Sequence, residues 1–152
     1  MVQVLSTSLF KRVAIAIFLS FFVLGCSDNA VSQCNRLTAV TNQTVGEVQS
    51  IISANSLPDS EALRAVAMSF DRGREQMGAL ELADEQLQDY QTQFIDLYAT
   101  VSRSALRLAD ALNEQDFTVA QAARTAFQET TDQELPLVQA VNDYCGAIAP
   151  SP

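Results

Sequence analysis

An all-α, antiparallel up-down-up-down four-helix bundle closed by a disulfide, following a cleaved signal peptide, is the fold this 152-residue chain predicts. Three observations carry the prediction. Beyond the first 26 residues there is no alternating β-branched run, and the chain is rich in alanine, leucine, glutamine and glutamate, with only 5 glycines and 4 prolines in the whole sequence. Apolar residues recur at spacings of three and four through four successive segments. The connections between those segments are short, which makes consecutive helices antiparallel neighbours.

Helix one is expected over residues 33–54, where Cys34, Leu37, Val45, Val48 and Ile52 mark one face before Asn55-Ser-Leu-Pro58 stops it. Asp59 or Ser60 caps helix two, whose face reads Leu63, Val66, Ala67, Phe70, Met77 and Leu80. Met68 and Met77 are both expected in the core, and Gly73 and Gly78 weaken the helix, each by about 1 kcal/mol relative to alanine. Helix three spans residues 84–112. Taking Leu87 as heptad position a places Leu87, Phe94, Val101 and Leu108 at a, Tyr90, Leu97, Ser104 and Ala111 at d, and Tyr98, Ala105 and Leu112 at e. That is the wide stripe of a bundle helix. Asp116 caps helix four, which runs to Tyr144 through Ala120, Ala123, Phe127, Leu137, Val138 and Val141. Pro136 removes one backbone hydrogen bond and should kink it near Asp132.

Ahead of the bundle lies a basic pair, Lys11-Arg12, followed by an apolar run over residues 13–24. About twelve residues is the length of a signal-peptide core, whereas a membrane span needs roughly 20. Val23-Leu24-Gly25-Cys26 at the end of that run resembles the lipobox of bacterial lipoprotein precursors. The resemblance implies cleavage before Cys26, lipidation of that cysteine and stable anchoring at a membrane through two or more acyl chains. It divides the chain into a lipoprotein signal peptide (1–25), a lipidated tether (26–33), the bundle (34–147) and a C-terminal tail (148–152). The implied location is the bacterial cell envelope. Ser27 lacks the aspartate that marks inner-membrane retention, so in a cell with two membranes the periplasmic face of the outer membrane is expected.

Cleavage would leave seven arginines against 18 acidic residues, a net charge of about −11, with no lysine or histidine. Such a surface repels nucleic acid and anionic headgroups, so nucleic acid is not an expected partner. Of the three cysteines, Cys34 and Cys145 remain as a pair in an oxidising compartment. Without a histidine or a CxxC they make an incomplete zinc site. In an up-down-up-down bundle the start of helix one and the end of helix four share one end, so a Cys34–Cys145 bridge is expected there. It closes a loop of about 110 residues, worth up to ~4–5 kcal/mol in the chain-entropy model.

The composition also limits the chemistry. Di-iron bundles need Glu-x-x-His, and hydroxyl or thiol nucleophiles need a base that this chain does not supply after cleavage. No P-loop, dinucleotide fingerprint or EF-hand loop is present, so no metal, cofactor or enzymatic activity is expected. Two places remain. Stacking the helices at 1.5 Å per residue brings Thr41 and Thr44 level with Thr130, Thr131 and Glu134, with Phe70, Gly73, Phe94 and Tyr98 across the core, a candidate ligand pocket. Those threonines can equally bond their own helix carbonyls. At the opposite end, helices three and four look longer than one and two by enough to project their hairpin ~12 Å. The projecting tip would bear Leu106, Leu112, Phe117 and Ala120 as a partner surface.

Cys34-Asn-Arg-Leu37, Leu87-Gln-x-Tyr-Gln-x-x-Phe94 and Asp143-Tyr-Cys145 resemble segments of uncharacterised helical bacterial lipoproteins with a terminal cysteine pair, a resemblance that implies no activity. The expected function is a lipid-anchored, non-catalytic protein-binding or scaffolding module. A bundle holding a small ligand near Thr44 and Glu134 is the alternative.

Overall fold

The computed structural model describes residues 29–54 and 59–149, and within them every regular element is a helix. The helices are α1 (Ala30–Ala54), α2 (Ser60–Gly78), α3 (Glu85–Asn113), α4 (Phe117–Thr131) and α5 (Glu134–Ile148). The last two are the halves of the expected fourth helix, so the bundle topology stands. Expectations placed on residues 1–28, including the signal peptide, the lipobox and Cys26, lie outside the described residues, as do those on 55–58 and 150–152.

Aspartates start three of the helices. The Asp59 carboxylate accepts from Ala62 N at 2.8 Å, Asp84 from Leu87 N at 3.0 Å, and Asp116 from Thr118 N and Val119 N at 3.1 and 3.0 Å. Each pairs donors that the first helical turn leaves without an intrahelical partner. α1 begins three residues earlier than its apolar spacing indicates. Residues 30–33 therefore belong to the helix rather than to a tether, and Gln33 is buried. At Pro136, in the first turn of α5, a lost N–H costs little, and the ladder breaks at residues 132–133, close to where the kink is expected.

Two apolar clusters fill the bundle. The larger joins α1, α2, α3 and α5 through Leu37, Phe70, Met77, Leu87, Phe94, Tyr98, Val101 and Val141. The smaller, at the opposite end, joins Leu63 of α2, Leu108, Ala109 and Ala111 of α3, and Ala120 of α4. Met68, assigned to the core from sequence, is 56% exposed, because the buried stripe of α2 passes through Val66, Ala67, Ser69 and Phe70 on either side of it.

The Cys34–Cys145 disulfide is present, with Cα atoms 5.9 Å apart. Around it the chain is tied several times. Gln33 Oε1 accepts from Ala83 N and Asp84 N at 2.7 and 3.0 Å, and the Tyr144 hydroxyl donates to the Asp84 carboxylate at 2.8 Å. The amide of Gln91 donates to the carbonyls of Met77 and Leu80 at 2.7 and 2.9 Å. These bonds hold the non-helical segment 79–84 alongside the first turns of α3.

That segment corrects the expected projection of the opposite hairpin. Leu63 packs with Leu108 and Ala111, and Arg64 pairs with Asp110 at 2.5 Å, so the start of α2 covers the far end of α3. The extra length of α3 lies at the disulfide end, beside residues 79–84.

Candidate functional site

Thr44 of α1 lies directly against Gly73 of α2. A Cβ added to Gly73 of α2 would collide with the Thr44 hydroxyl and come within 2.8 Å of its Cγ2. The glycine that weakens α2 as a helix is thus the one that lets α1 lie against it. Thr44 donates to Val40 O at 3.0 Å and Thr41 to Leu37 O at 3.2 Å, each using its proton inside its own helix and leaving oxygen lone pairs directed elsewhere.

Tyr98 of α3 reaches the same level, fully buried, with its ring tilted against Phe70 and Phe94 at centroid distances of 5.3 and 5.7 Å. Such tilted contacts suit the ring quadrupoles. Its hydroxyl lies close enough to Glu134, Thr41 and Thr44 for each of them to act on it. Yet neither Tyr98 Oη nor Glu134 Oε1, both buried, completes a hydrogen bond of good geometry. Burial pushes the Tyr98 hydroxyl far above its ordinary range, and the Glu134 charge acts in the same direction. Burial also raises the Glu134 carboxyl above the usual carboxylate range, a shift that the Tyr98 hydroxyl partly offsets.

The structure therefore brings Thr41, Thr44, Phe70, Phe94, Tyr98 and Glu134 to one level of the core. Thr130 is buried but donates to Ala126 O at 2.7 Å, and Thr131 bonds the carbonyls of Phe127 and Gln128. Open space is small. A void of about 50 Å³ between α1 and α5 is lined by Thr38, Thr41, Phe94, Val138, Val141 and Asn142. It has room for about one or two waters at the ~30 Å³ each occupies in the liquid. A shallow groove of about 310 Å³ runs outside the helix break, between Gln93, Asp96, Leu97 and Thr100 of α3 and Gln133 and Leu137.

The other predicted surface divides. Phe117 is 82% exposed and Val119, two residues on, is 51% exposed, on the first turn of α4. Ala120, by contrast, is buried against α3, Leu112 is half-buried against the same cluster, and Leu106 packs on the main core. The physical reason is that α4 packs along α3, which buries Ala120, while α2 reaches the end of α3 and covers it. Sequence reasoning missed Val119, which follows the helix cap too closely for any periodicity to assign its face. It also missed Ser102 of α3, which donates to Asp71 of α2 at 3.0 Å.

Among the described residues no group of three or more acidic or cysteine side chains could hold a metal, and no helix is long and apolar enough to cross a membrane. Compared with known protein families, characterised proteins and solved structures, the chain matches none.

Proposed function

We propose that this protein is a lipid-anchored component of the bacterial envelope that works without catalysis, as a protein-binding or scaffolding module. The observation that carries the binding half of this reading is the first turn of α4, where Phe117 and Val119 stand in solvent while the rest of the helix buries a narrow stripe on α3. Aromatic side chains such as Phe117 are the kind that anchor recognition surfaces when a partner buries them. Its anchoring half rests on the lipobox-like Val23-Leu24-Gly25-Cys26.

Ligand binding near Thr44 and Glu134 is the weaker reading. Small-molecule pockets usually offer some 300–1,000 Å³, against about 50 Å³ beside Thr41. The test has two arms. Replacing Cys26 by alanine should leave an unprocessed precursor that takes up no labelled fatty acid. Replacing Phe117 and Val119 together by serine should abolish capture of crosslinked protein partners in the native membrane while the melting curve is preserved. Retained crosslinking by that variant would overturn the binding surface.

A further inference from the structure

We propose that Glu134, seated beside Tyr98, Thr41 and Thr44, is a proton-controlled latch at the break in the fourth helix, closed while its carboxyl is protonated and loosened when burial no longer suits the ionised group. The inference is independent of any partner or membrane anchor. It begins from two polar atoms, Tyr98 Oη and Glu134 Oε1, that are buried, close to each other and without a completed hydrogen bond. A neutral carboxyl there has work for every atom: its O–H can donate to the lone pairs of Thr41 or Thr44, and its carbonyl can accept from Tyr98. An ionised carboxyl can only accept, and Tyr98 offers one proton. Glu134 is partly buried, and leaving Oε1 of the ion buried with no cation is costly, so ionisation draws that oxygen toward water.

No charged group on the neighbouring helices relieves it. α1 contributes Thr41 and Thr44. On α2, Arg72 pairs with Glu47 of α1 at 2.8 Å and Arg74 with Asp71 at 3.6 Å. α3 contributes Tyr98, with Asp96 on the outer groove, and α4 contributes Thr130 and Thr131 before the exposed Asp132. Burial raises the Glu134 carboxyl, and the Tyr98 hydroxyl acts in the opposite direction.

Position turns this discomfort into a hinge. Glu134 is the first residue of α5; the ladder breaks at residues 132–133 before it, Gln133 provides no side-chain cap, and Pro136 in the first turn has no N–H to give. The opposite end of α5 is held by the Cys34–Cys145 bridge and by Tyr144 on Asp84. Hydration of Glu134 would therefore swing the break outward about a fixed end. The groove lined by Gln133 and Leu137 runs beside the break, and the small void beside Thr41 lies between α1 and α5.

The sign follows from linkage. A carboxyl whose folded-state titration is raised above the ordinary 4.5 is held neutral by the fold. Its stabilising contribution is complete below that ordinary value and is lost as pH rises through the folded-state titration. Glu47, held below the usual range by its bond to Arg72, contributes the opposite slope near the acid end. The comparison must therefore be made against Glu134→Gln, which keeps the size and removes the ionisation.

Hydrogen exchange at matched pH, from pH 4 to pH 8, is the experiment. Protection of residues 130–138 should fall relative to Glu134→Gln as pH rises through the raised titration, because ionisation moves the opening equilibrium toward the open form. Residues 94–105 should keep their protection. In Tyr98→Phe the midpoint of this loss should move upward, because the hydroxyl that favours the ionised form is gone. A ratio of wild type to Glu134→Gln that does not change with pH overturns the latch. So does an opening spread evenly over all helices. Should either variant fail to fold, the carbon-13 shift of the Glu134 carboxyl in the unaltered protein decides: a midpoint near 4.5 overturns the proposal, and a raised one supports it.

Discussion

The two ends of this bundle are held by different physics. At the disulfide end, a covalent bridge, a tyrosine on a capping aspartate, a buried glutamine across two backbone amides and another glutamine across two carbonyls fix α1, α3, α5 and the 79–84 segment together. Leu63, Leu108 and three alanines close the far end, with one exposed ion pair between Arg64 and Asp110. Such a pair contributes at most about 1 kcal/mol. Directional bonds specify the first end, and a small alanine-rich cluster specifies the second. α3 belongs to both, which is why it can tie a stiff end to a softer one.

The largest effect should come from the stiff end. Replacing Cys34 and Cys145 together by serine should cost about 4 kcal/mol, measured by chemical denaturation. Hydrogen exchange should show the loss in residues 30–37 and 141–148 while α3 keeps most of its protection. Equal loss along the whole chain would mean that the ends are not separable. Next is Leu63→Ala, which empties the centre of the far cluster and should cost about 2–4 kcal/mol. Its signature is faster exchange at residues 60–66 and 108–120 with the disulfide end unchanged, and that contrast is the sharper test of the comparison.

Much of the stiff end was legible in the sequence, because its parts have strong local signatures. Two cysteines in an antiparallel bundle can meet at only one end, and Asp84 opens the periodic run of α3 there, as Asp59 and Asp116 open α2 and α4 at the far end. The a positions of α3, Leu87, Phe94, Val101 and Leu108, are all buried. Hydrogen bonds over long sequence separations were not legible: Gln33 reaches residues 83 and 84, and nothing in its neighbourhood says so. Burial of Ser102 and Ala109, beyond the heptad stripe of α3, follows from how closely α2 lies on α3, a tertiary fact that no single-helix pattern encodes. The Thr41, Thr44, Tyr98 and Glu134 level was found by counting rise per residue, which works in a bundle because the helices are parallel to one axis. The projection of the far hairpin failed for a related reason. Helix lengths alone do not say at which end the surplus lies, and here residues 79–84 take it up at the disulfide end.

A smaller change should strengthen the soft end. α3 terminates with Asp116 N bonded to Ala111 O and Gln115 N to Leu112 O, the paired bonds of a Schellman turn. Gln115 sits at the reversing position with φ 58°, a left-handed conformation that usually falls to glycine. Gln115→Gly should therefore stabilise the protein by about 1 kcal/mol or less, relief of side-chain strain being partly offset by the freer unfolded chain. Thermal unfolding reads the gain, and its absence would show that the neighbouring bonds already absorb the strain.

The smallest expected effect on stability is also the one that separates fold from function. Phe117 follows the Asp116 cap and is 82% exposed, so its ring contributes little to either cluster. Replacing it by serine should change the unfolding free energy by no more than about 0.5 kcal/mol, the usual scale for exposed positions away from packing features. If the first turn of α4 is a recognition surface, the same substitution should remove most partner crosslinking, because binding energy concentrates in a few exposed aromatic side chains. A destabilisation of 2 kcal/mol or more, of order that for removing a buried side chain, would instead place the ring in the core and make the far end stiffer than this comparison holds. Unchanged stability together with unchanged crosslinking would leave the difference between the two ends intact and remove Phe117 as the residue that a partner reads.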